Sequence, residues 1–279
     1  MIEIKNLKVG VLDKEILKGI SLNFEIGKNY CLLGKNGSGK STLSSFLMGH
    51  PKYEYISGSV NIIEHTGHQT CAVSLHKGLD SIENSNDNSR DAPCGCPVSV
   101  NLLDLSPEER SRAGLFLSFQ NVPEIKGIKL SEYLRTIYNI SLKNTNSEVK
   151  ELSPFIFKRF IKKHLEELHI DERFMDRELN VGFSGGEKRK IEILQMKLIG
   201  PKYIILDEID SGLDLDAFRT IAEMLKQLSN ENNTFIVITH YFNILEYIDV
   251  DKVYVLNDGL VVREGGKELI DDIKINGYK

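Results

Sequence analysis

Cysteine is scarce in this sequence, with four residues among 279. Four cysteines cannot supply the disulfide framework of a small secreted domain. The apolar runs all fall short of the ~20 residues that span a membrane, so we expect no direct membrane insertion. Basic residues are outnumbered by acidic ones, and the resulting net charge of −5 disfavours nucleic acid as the main partner.

The N-terminal residues lack the features of a targeting segment. MIEIKNLKVGVLDKEIL has neither the apolar core of a signal peptide nor the Arg- and Ser-rich character of a transit peptide. We therefore expect a cytoplasmic protein, or one in an organellar matrix if the source is eukaryotic. The remaining composition, 41% hydrophobic and 27% charged residues, is that of an ordinary globular chain. Its length predicts a single domain over residues 1–279.

Strand-like and helix-like segments alternate along most of the chain. Short alternating runs predict strands over residues 2–33, and two later strand–helix units begin at Tyr203 and Phe235. Alternation around buried apolar strands is typical of an α/β fold. Residues 115–180 show mainly helical patterns and predict a helical subdomain within the single domain.

Local signals mark where some of these elements begin and turn. Ser106, Pro107 and Glu109 together predict a capped helix start, with the serine as N-cap and the glutamate completing a capping box. Near the end of the sequence, Asp258-Gly259 lies between two apolar runs and predicts a tight β-hairpin.

A polar stretch over residues 65–97 interrupts the pattern and predicts a long surface loop insertion. Its histidines and cysteines are His65, His68, Cys71, His76, Cys94 and Cys96. The spacings H-x2-H-x2-C and C-x-C could suit Zn²⁺ or a thiophilic metal, although a long polar segment separates the two groups. A plain flexible loop is the simplest interpretation, and a metal site or a redox thiol pair are the alternatives.

A phosphate-binding loop is predicted at Gly34–Ser41, where GKNGSGKS matches G-x-x-x-x-G-K-[ST] between an apolar strand and a helix. Glycines let backbone N–H groups face phosphates, and the helix N-terminus adds positive potential. Lys40 would reach the β- and γ-phosphates, Ser41 would bind Mg²⁺, and Thr42 would contact the α-phosphate. The candidate nucleotide-binding residues here are Gly34, Lys35, Asn36, Gly37, Ser38, Gly39, Lys40, Ser41 and Thr42.

Two carboxylates end the apolar strand YIILDE. Asp207 suits a Mg²⁺ ligand, and Glu208 would point at the γ-phosphate and polarise the attacking water. A strand that ends in two acids is common and could be structural by itself. The phosphate-binding loop upstream favours the functional interpretation.

The segment FSGGE predicts a second anion site at Ser184, Gly185 and Gly186, at the start of a helix. A glycine-rich helix cap is the structural alternative. A second anion site makes little sense within a chain that already has a phosphate-binding loop. It makes sense if the segment covers the γ-phosphate held by a neighbouring copy, which predicts an ATP-dependent homodimer.

In their order along the chain, these segments resemble the motifs of the ABC ATPases. The resemblance implies an ABC-type P-loop nucleotide-binding domain with a RecA-like core, an antiparallel β edge and a helical subdomain, and it implies ATP and Mg²⁺ as cofactors. It also implies roles for three further residues. Gln120 would sense Mg²⁺ and the attacking water, Asp214 would communicate across the dimer, and His240 would hold the γ-phosphate. Gln120, Glu208 and His240 are the candidate catalytic residues, and Ser41, Gln120 and Asp207 the candidate Mg²⁺ ligands.

Finer features resemble the ATPases of the Suf iron–sulfur cluster assembly machinery. They are LSPEERSRAGLFLSFQ, Glu187 in the segment GFSGGEKRKIEILQM, and Ile209 where transporters usually have proline. This resemblance implies a SufB–SufD-type scaffold as partner. Val11 stands about where many ABC proteins stack an aromatic on adenine. The alternatives are the ATP-binding subunit of an ABC membrane transporter and a regulatory nucleotide-binding module.

Overall fold

The structure, a computed structural model, describes residues 1–64 and 98–278. The predicted loop insertion over 65–97, with its possible metal or thiol site, lies outside these residues. The strands are β1 (Ile2–Val11), β2 (Lys14–Phe24), β3 (Tyr30–Leu33), β4 (Glu54–Glu64), β5 (Val98–Asn101), β6 (Leu115–Ser118), β7 (Ile125–Lys129), β8 (Glu178–Leu179), β9 (Tyr203–Asp207), β10 (Thr234–Ile238), β11 (Lys252–Asn257) and β12 (Leu260–Gly265). The helices are α1 (Lys40–Leu47), α2 (Pro107–Arg112), α3 (Leu130–Thr145), α4 (Pro154–Glu167), α5 (Gly185–Ile199), α6 (Leu215–Leu228) and α7 (Glu268–Asn276).

The predicted local signals are confirmed. Ser106 Oγ accepts from the Glu109 amide and the Glu109 carboxylate accepts from the Ser106 amide, so α2 begins with a complete capping box and Pro107 in its first turn. The β11–β12 hairpin turns at Asp258 and Gly259, with φ of 48° and 77°. Both residues lie in the left-handed region that two-residue hairpin turns of this class require.

Two large sheets form the β part of the fold. One has the order β2-β1-β4-β5 and pairs antiparallel throughout. The other has the order β12-β11-β3-β10-β9-β6, with all neighbours parallel except β11 and β12. The predicted α/β class is confirmed, and the four-stranded sheet corresponds to the expected antiparallel β part.

Alternate residues of the parallel strands face two separate hydrophobic cores, because successive side chains of a strand point to opposite faces. In β3, Tyr30 and Leu32 pack into a core shared with the four-stranded sheet and α1. Cys31 and Leu33 pack on the other face, in a core shared with the helices. The six-stranded sheet is therefore the middle layer, which explains why the run Tyr30–Leu33 is apolar at every position.

Within the range 115–180, β6 belongs to the six-stranded sheet, where it pairs with β9, and the helices begin at Leu130. α4 presents a buried stripe of Phe157, Ile161 and Leu165, which is its core face. None of the helices in the described ranges is long and apolar enough to cross a membrane.

Candidate nucleotide-binding site

The phosphate-binding loop joins β3 to α1 and depends on glycine at its first position. Gly34 has φ 149°, and a Cβ at this position would lie 2.1 Å from the backbone oxygen of Leu256. Gly37 and Gly39 have φ of 79° and 106°, also in the region that favours glycine. Glycine at these three positions therefore allows the backbone turns of this loop.

Lys40 lies almost buried at the start of α1, with 5% of its surface exposed. Its Nζ donates to the backbone oxygens of Gly34 at 2.7 Å and Lys35 at 3.0 Å. Burial lowers the pKa of the ammonium, and the nearby carboxylates of Glu208 and Asp207 act in the opposite direction. The loop thus wraps around the ammonium, which lies where phosphates would be bound.

Asp207 ends β9 beside the first turns of α1. Its Oδ1 accepts from Ser41 Oγ at 3.2 Å, and its Oδ2 accepts from Ser44 Oγ at 2.8 Å. The side chain is 4% exposed, and burial raises the pKa of its carboxyl. Sequence analysis missed Ser44, since a serine inside a helix matches no motif. Its position three residues after Ser41, on the same helix face, was the available signal.

The oxygen donors at Asp207 fit Mg²⁺, which prefers carboxylate and hydroxyl oxygens together with phosphate and water. Among residues 1–64 and 98–278, no group of three or more His, Cys, Asp or Glu side chains could hold a metal ion. A cation at Asp207 and Ser41 would therefore share its ligands with a bound nucleotide.

Glu208 follows Asp207 on a backbone with φ 49°, and its amide donates to the Ile238 oxygen at 2.8 Å. This geometry turns the side chain away from the buried face of β9. Its Oε2 accepts from Gln120 Nε2 at 2.5 Å, and its Oε1 lies 3.3 Å from His240 Nε2. The structure thus brings together three side chains that come from the ends of β6, β9 and β10.

One open cleft of about 620 Å³ is lined by the phosphate-binding loop together with Gln120, Glu208 and His240. The lining residues are Lys14, Ile16, Asn36, Gly37, Gly39, Lys40, Ser41, Thr42, Gln120, Glu208, Ser211, His240 and Tyr241. Lys14 and Ile16 come from β2, and sequence analysis missed both. Val11, the position expected near a nucleotide base, is not among the residues that line the cleft.

Ser184, Gly185 and Gly186 lie outside this cleft, at the N-terminus of α5. Ser184 Oγ accepts from the Glu187 amide at 3.3 Å, and the Glu187 carboxylate accepts from the Ser184 amide at 2.7 Å. A Cβ on Gly185 would lie 3.5 Å from the Gly212 oxygen, so the segment packs on the turn after Glu208.

Asp214 is the N-cap of α6, with its Oδ1 accepting from the Ala217 amide at 2.8 Å. A Cβ on Gly186 would touch Ala217 at 3.1 Å, so Asp214 and the Ser184–Gly186 segment belong to one neighbourhood. The predicted site residues therefore fall into two groups, one around Lys40 and one around Ser184.

Known proteins resemble the chain over its whole length. A family model described as ABC transporter matches residues 17–211. The chain is 41% identical over 278 residues to the "Probable ATP-dependent transporter ycf16" of Cyanophora paradoxa, covering 100% of this chain and 93% of that protein. It is 36% identical over 265 residues to the "Iron-sulfur cluster assembly protein SufC" of Plasmodium berghei, covering 95% of this chain and 62% of that protein.

Solved structures share the fold. The dimeric post-hydrolysis structure of the ATP-binding cassette MJ0796 bound to ADP and Pi superposes with a TM-score of 0.66, at 22% identity, over 95% of this chain and 98% of that chain. A structure described as the ATP-binding subunit of an ABC transporter gives 0.67, at 22% identity, over 100% and 95%. The chain therefore belongs to the ABC transporter ATPase family, as an ATP-hydrolysing enzyme that resembles SufC.

Proposed function

We propose that this chain is the Mg²⁺-dependent ATPase of a Suf-type iron–sulfur cluster assembly machinery. Two copies would bind ATP between them, and their closure and reopening would change the conformation of a SufB–SufD-type scaffold. The protein would act in the cytoplasm or in an organellar matrix.

The observation that carries the hydrolytic role is the position of Glu208 between Gln120 and His240, across the cleft from the phosphate-binding loop. A water between Glu208 and the γ-phosphate would attack phosphorus, with the Glu208 carboxylate accepting its proton and ADP leaving in line. Gln120 would orient the same water, and the His240 imidazole would hydrogen-bond the γ-phosphate. Most of the catalysis would then come from positioning and charge stabilisation.

Phosphate binding falls to the loop and the first turn of α1. Lys40 would exchange its contacts with the Gly34 and Lys35 oxygens for contacts with the β- and γ-phosphates. Ser41, Gln120 and Asp207 would hold Mg²⁺, which neutralises charge on the phosphates when it is bound.

The second group of residues supports a dimer. Ser184, Gly185 and Gly186 begin α5 with exposed or half-buried residues and do not line the cleft of their own chain. The N-terminus of a long helix is suited to an anion. A partner's γ-phosphate fits this role, with Asp214 beside it at the same surface. The dimeric state of the related MJ0796 cassette supports this arrangement.

The assignment to cluster assembly is supported by SufC as a relative and by the resemblance at Glu187 and Ile209, which both have structural roles. Glu187 completes the capping box at Ser184, which glutamine could complete as well. Ile209 is 1% exposed and fills the helix-side core beneath the turn that leads to Asp214. Both residues therefore lie at or beneath the proposed second anion site.

The second candidate is the ATP-binding subunit of a membrane transporter. Relatives at 36–41% identity carry the name "Probable ATP-dependent transporter", which supports this alternative. Both candidates use the same hydrolytic site, so they differ in the partner alone.

Replacing Glu208 with glutamine tests the hydrolytic role. The amide keeps the size of the side chain and one accepting oxygen but cannot accept a proton, so we expect kcat to fall at least about a hundredfold. ATP binding should persist within about twofold, as measured by equilibrium titration with a fluorescent ATP analogue. Glu223→Gln, at an exposed position of α6, is the matched control and should retain full activity. Normal phosphate release by Glu208→Gln would rule out Glu208 as the base.

Reconstitution with purified partners tests the choice between the two candidates. With a SufB–SufD pair we expect a stable complex on size-exclusion chromatography and an increased rate of phosphate release. The full-length Glu208→Gln protein should form the same complex, because its defect lies in turnover. Failure to bind this pair, together with co-purification in a detergent-solubilised membrane complex, would favour the transporter subunit.

A further inference from the structure

Arg189 and Glu192 form a buried ion pair on α5 that the proposed reaction does not use. Each side chain is 4% exposed, and Arg189 Nη1 lies 2.6 Å from Glu192 Oε2. Removing both charges from water is costly, so such a pair contributes little net stability compared with apolar residues of the same volume. A functional role for this pair would therefore come from the other contacts of the two side chains rather than from their mutual attraction.

The guanidinium of Arg189 contacts the segment that ends β6 and leads into Gln120. Its Nη1 donates to Ser118 Oγ at 3.0 Å and to the Phe119 backbone oxygen at 2.6 Å, and its Nη2 donates to the Gln120 backbone oxygen at 3.0 Å. Ser118 Oγ in turn donates to Glu192 at 3.0 Å. A planar guanidinium can hold several acceptors at fixed angles, which a single ammonium cannot do.

Packing alone does not fix this segment. The Phe119 side chain is 47% exposed and Gln120 is exposed, so few apolar contacts hold either residue. Yet the Gln120 amide must stay within hydrogen-bond distance of Glu208. The backbone contacts from Arg189 supply the missing constraint at the two residues where it is needed.

The following residues are tied to the same part of the chain. Asn180 Nδ2 donates to the Pro123 oxygen at 2.9 Å, and Lys188 Nζ lies 2.8 Å from Glu124 Oε1. Residues 118–120 are therefore held by α5. Pro123 is held by the turn before α5, and Glu124 by α5 itself. Arg189 provides the contacts next to Gln120.

We propose that Arg189 is a positioning residue, which sets the distance between the Gln120 amide and the Glu208 carboxylate by holding the Phe119 and Gln120 carbonyls. This inference rests on the roles proposed above for Gln120 and Glu208. It has a consequence for the dimer. Because α5 starts at the segment that would cover the partner's ATP, a shift of α5 would also move Gln120 at the chain's own ATP.

The substitution Arg189→Lys tests the proposal with little disturbance of charge. Lysine keeps a cation beside Glu192, but a single nitrogen then replaces the two that hold the Phe119 and Gln120 oxygens at fixed angles. We expect kcat to fall about tenfold, while the Kd for ATP changes less than about twofold. Arg173→Lys is the matched control. Its guanidinium contacts Asp171 in an exposed ion pair, and we expect unchanged activity.

A double-mutant cycle with Gln120→Ala separates positioning from general loss of structure. If Arg189 acts through Gln120, Arg189→Lys should cost less than about twofold in kcat once the amide is absent. A tenfold loss that persists in the Gln120→Ala background would overturn the proposal, and so would a normal kcat for Arg189→Lys alone. Should Gln120→Ala itself be fully active, both residues lose their assigned roles. The separate result for Glu208→Gln would still decide whether the hydrolytic site is correct.

If Arg189→Lys does not fold, the double substitution Arg189→Met and Glu192→Met replaces it in the same cycle. Removing both charges avoids leaving one of them unpaired in the interior, and methionine preserves much of the buried volume. The expected pattern is unchanged: a lower kcat with Gln120 present and little effect with Gln120 absent.

Discussion

Glu208 combines the proposed chemical role with an unfavourable backbone. A φ of 49° is uncommon for a residue with a side chain, and such a conformation costs on the order of 1 kcal/mol and persists only where the surroundings impose it. Here the amide is held by the Ile238 oxygen, and the carboxylate meets Gln120 and His240. Strain of this kind is found where function requires a side chain to leave its strand.

The backbone cost can be measured by comparing glycine with alanine at this position. Both substitutions remove the carboxylate, but only glycine adopts positive φ without strain. We expect Glu208→Gly to be more stable than Glu208→Ala by about 1 kcal/mol in urea unfolding, and both to be inactive. At Glu223 in α6 the order should reverse by a similar amount, because glycine is unfavourable inside a helix. Alanine as the more stable residue at both positions would show that Glu208 carries no strain.

At the level of single residues, motif spacing predicted the side chains that gather in the cleft. Lys40 and Ser41 line the cleft with Glu208, and Ser41 donates to Asp207, since a phosphate-binding loop and a strand end fix their surroundings locally. Ser44 was missed because a serine inside a helix matches no motif, although its spacing from Ser41 places both hydroxyls beside Asp207. Arg189 was missed because its contacts are with a segment far away in the sequence, and no local pattern marks them.

Within residues 1–64 and 98–278, two helices begin with the same capping box. α2 starts at Ser106 with Glu109, and α5 starts at Ser184 with Glu187. Both serines are exposed, so their intramolecular contacts are comparable. The pair allows the stabilising role of an N-cap to be separated from a role in binding.

We expect Ser106→Ala and Ser184→Ala to lower the free energy of unfolding by a similar amount, about 1 kcal/mol each, because each removes one N-cap. Only Ser184→Ala should also lower kcat/KM for ATP, by about tenfold, through loss of a hydroxyl that would contact a charged phosphate. Steady-state phosphate release and urea unfolding of both variants provide the comparison. Equal activity of the two proteins would leave Ser184 with a capping role alone.

Elements were predictable where the signals are local. Ser106 with Pro107 marked the start of α2, and Asp258-Gly259 marked the hairpin. The exception is β6, which begins the range 115–180 but pairs with β9 in the central sheet. Its four residues cannot reveal a partner strand that lies more than eighty positions later in the sequence.

At the scale of the whole molecule, the strand order places the two groups of site residues apart. β3 and β9 flank β10 in the six-stranded sheet, so the loop after β3 and the carboxylates after β9 share one edge with His240. The N-terminus of α5 lies against the turn at Gly212 instead. Pairing of distant strands determines this arrangement, and local patterns in a single sequence do not reveal it. If both groups bind the same ATP, as proposed, a complete site requires a second copy.

Mixing two inactive variants tests this requirement. Lys40→Ala would disable the phosphate-binding loop, and Gly185→Asp would place a carboxylate at the second anion site. A Cβ at Gly185 meets only ordinary contacts, so the aspartate should be tolerated.

In a symmetric dimer each site takes one group from each copy. Half of the dimers in an equal mixture would be heterodimers, and each heterodimer would have one intact site of its two. We therefore expect about a quarter of the wild-type rate. If each chain hydrolysed ATP alone, the mixture would stay inactive at every protein concentration. Recovery that increases with concentration, measured by phosphate release, would show that Ser184–Gly186 of one copy serves the ATP of the other.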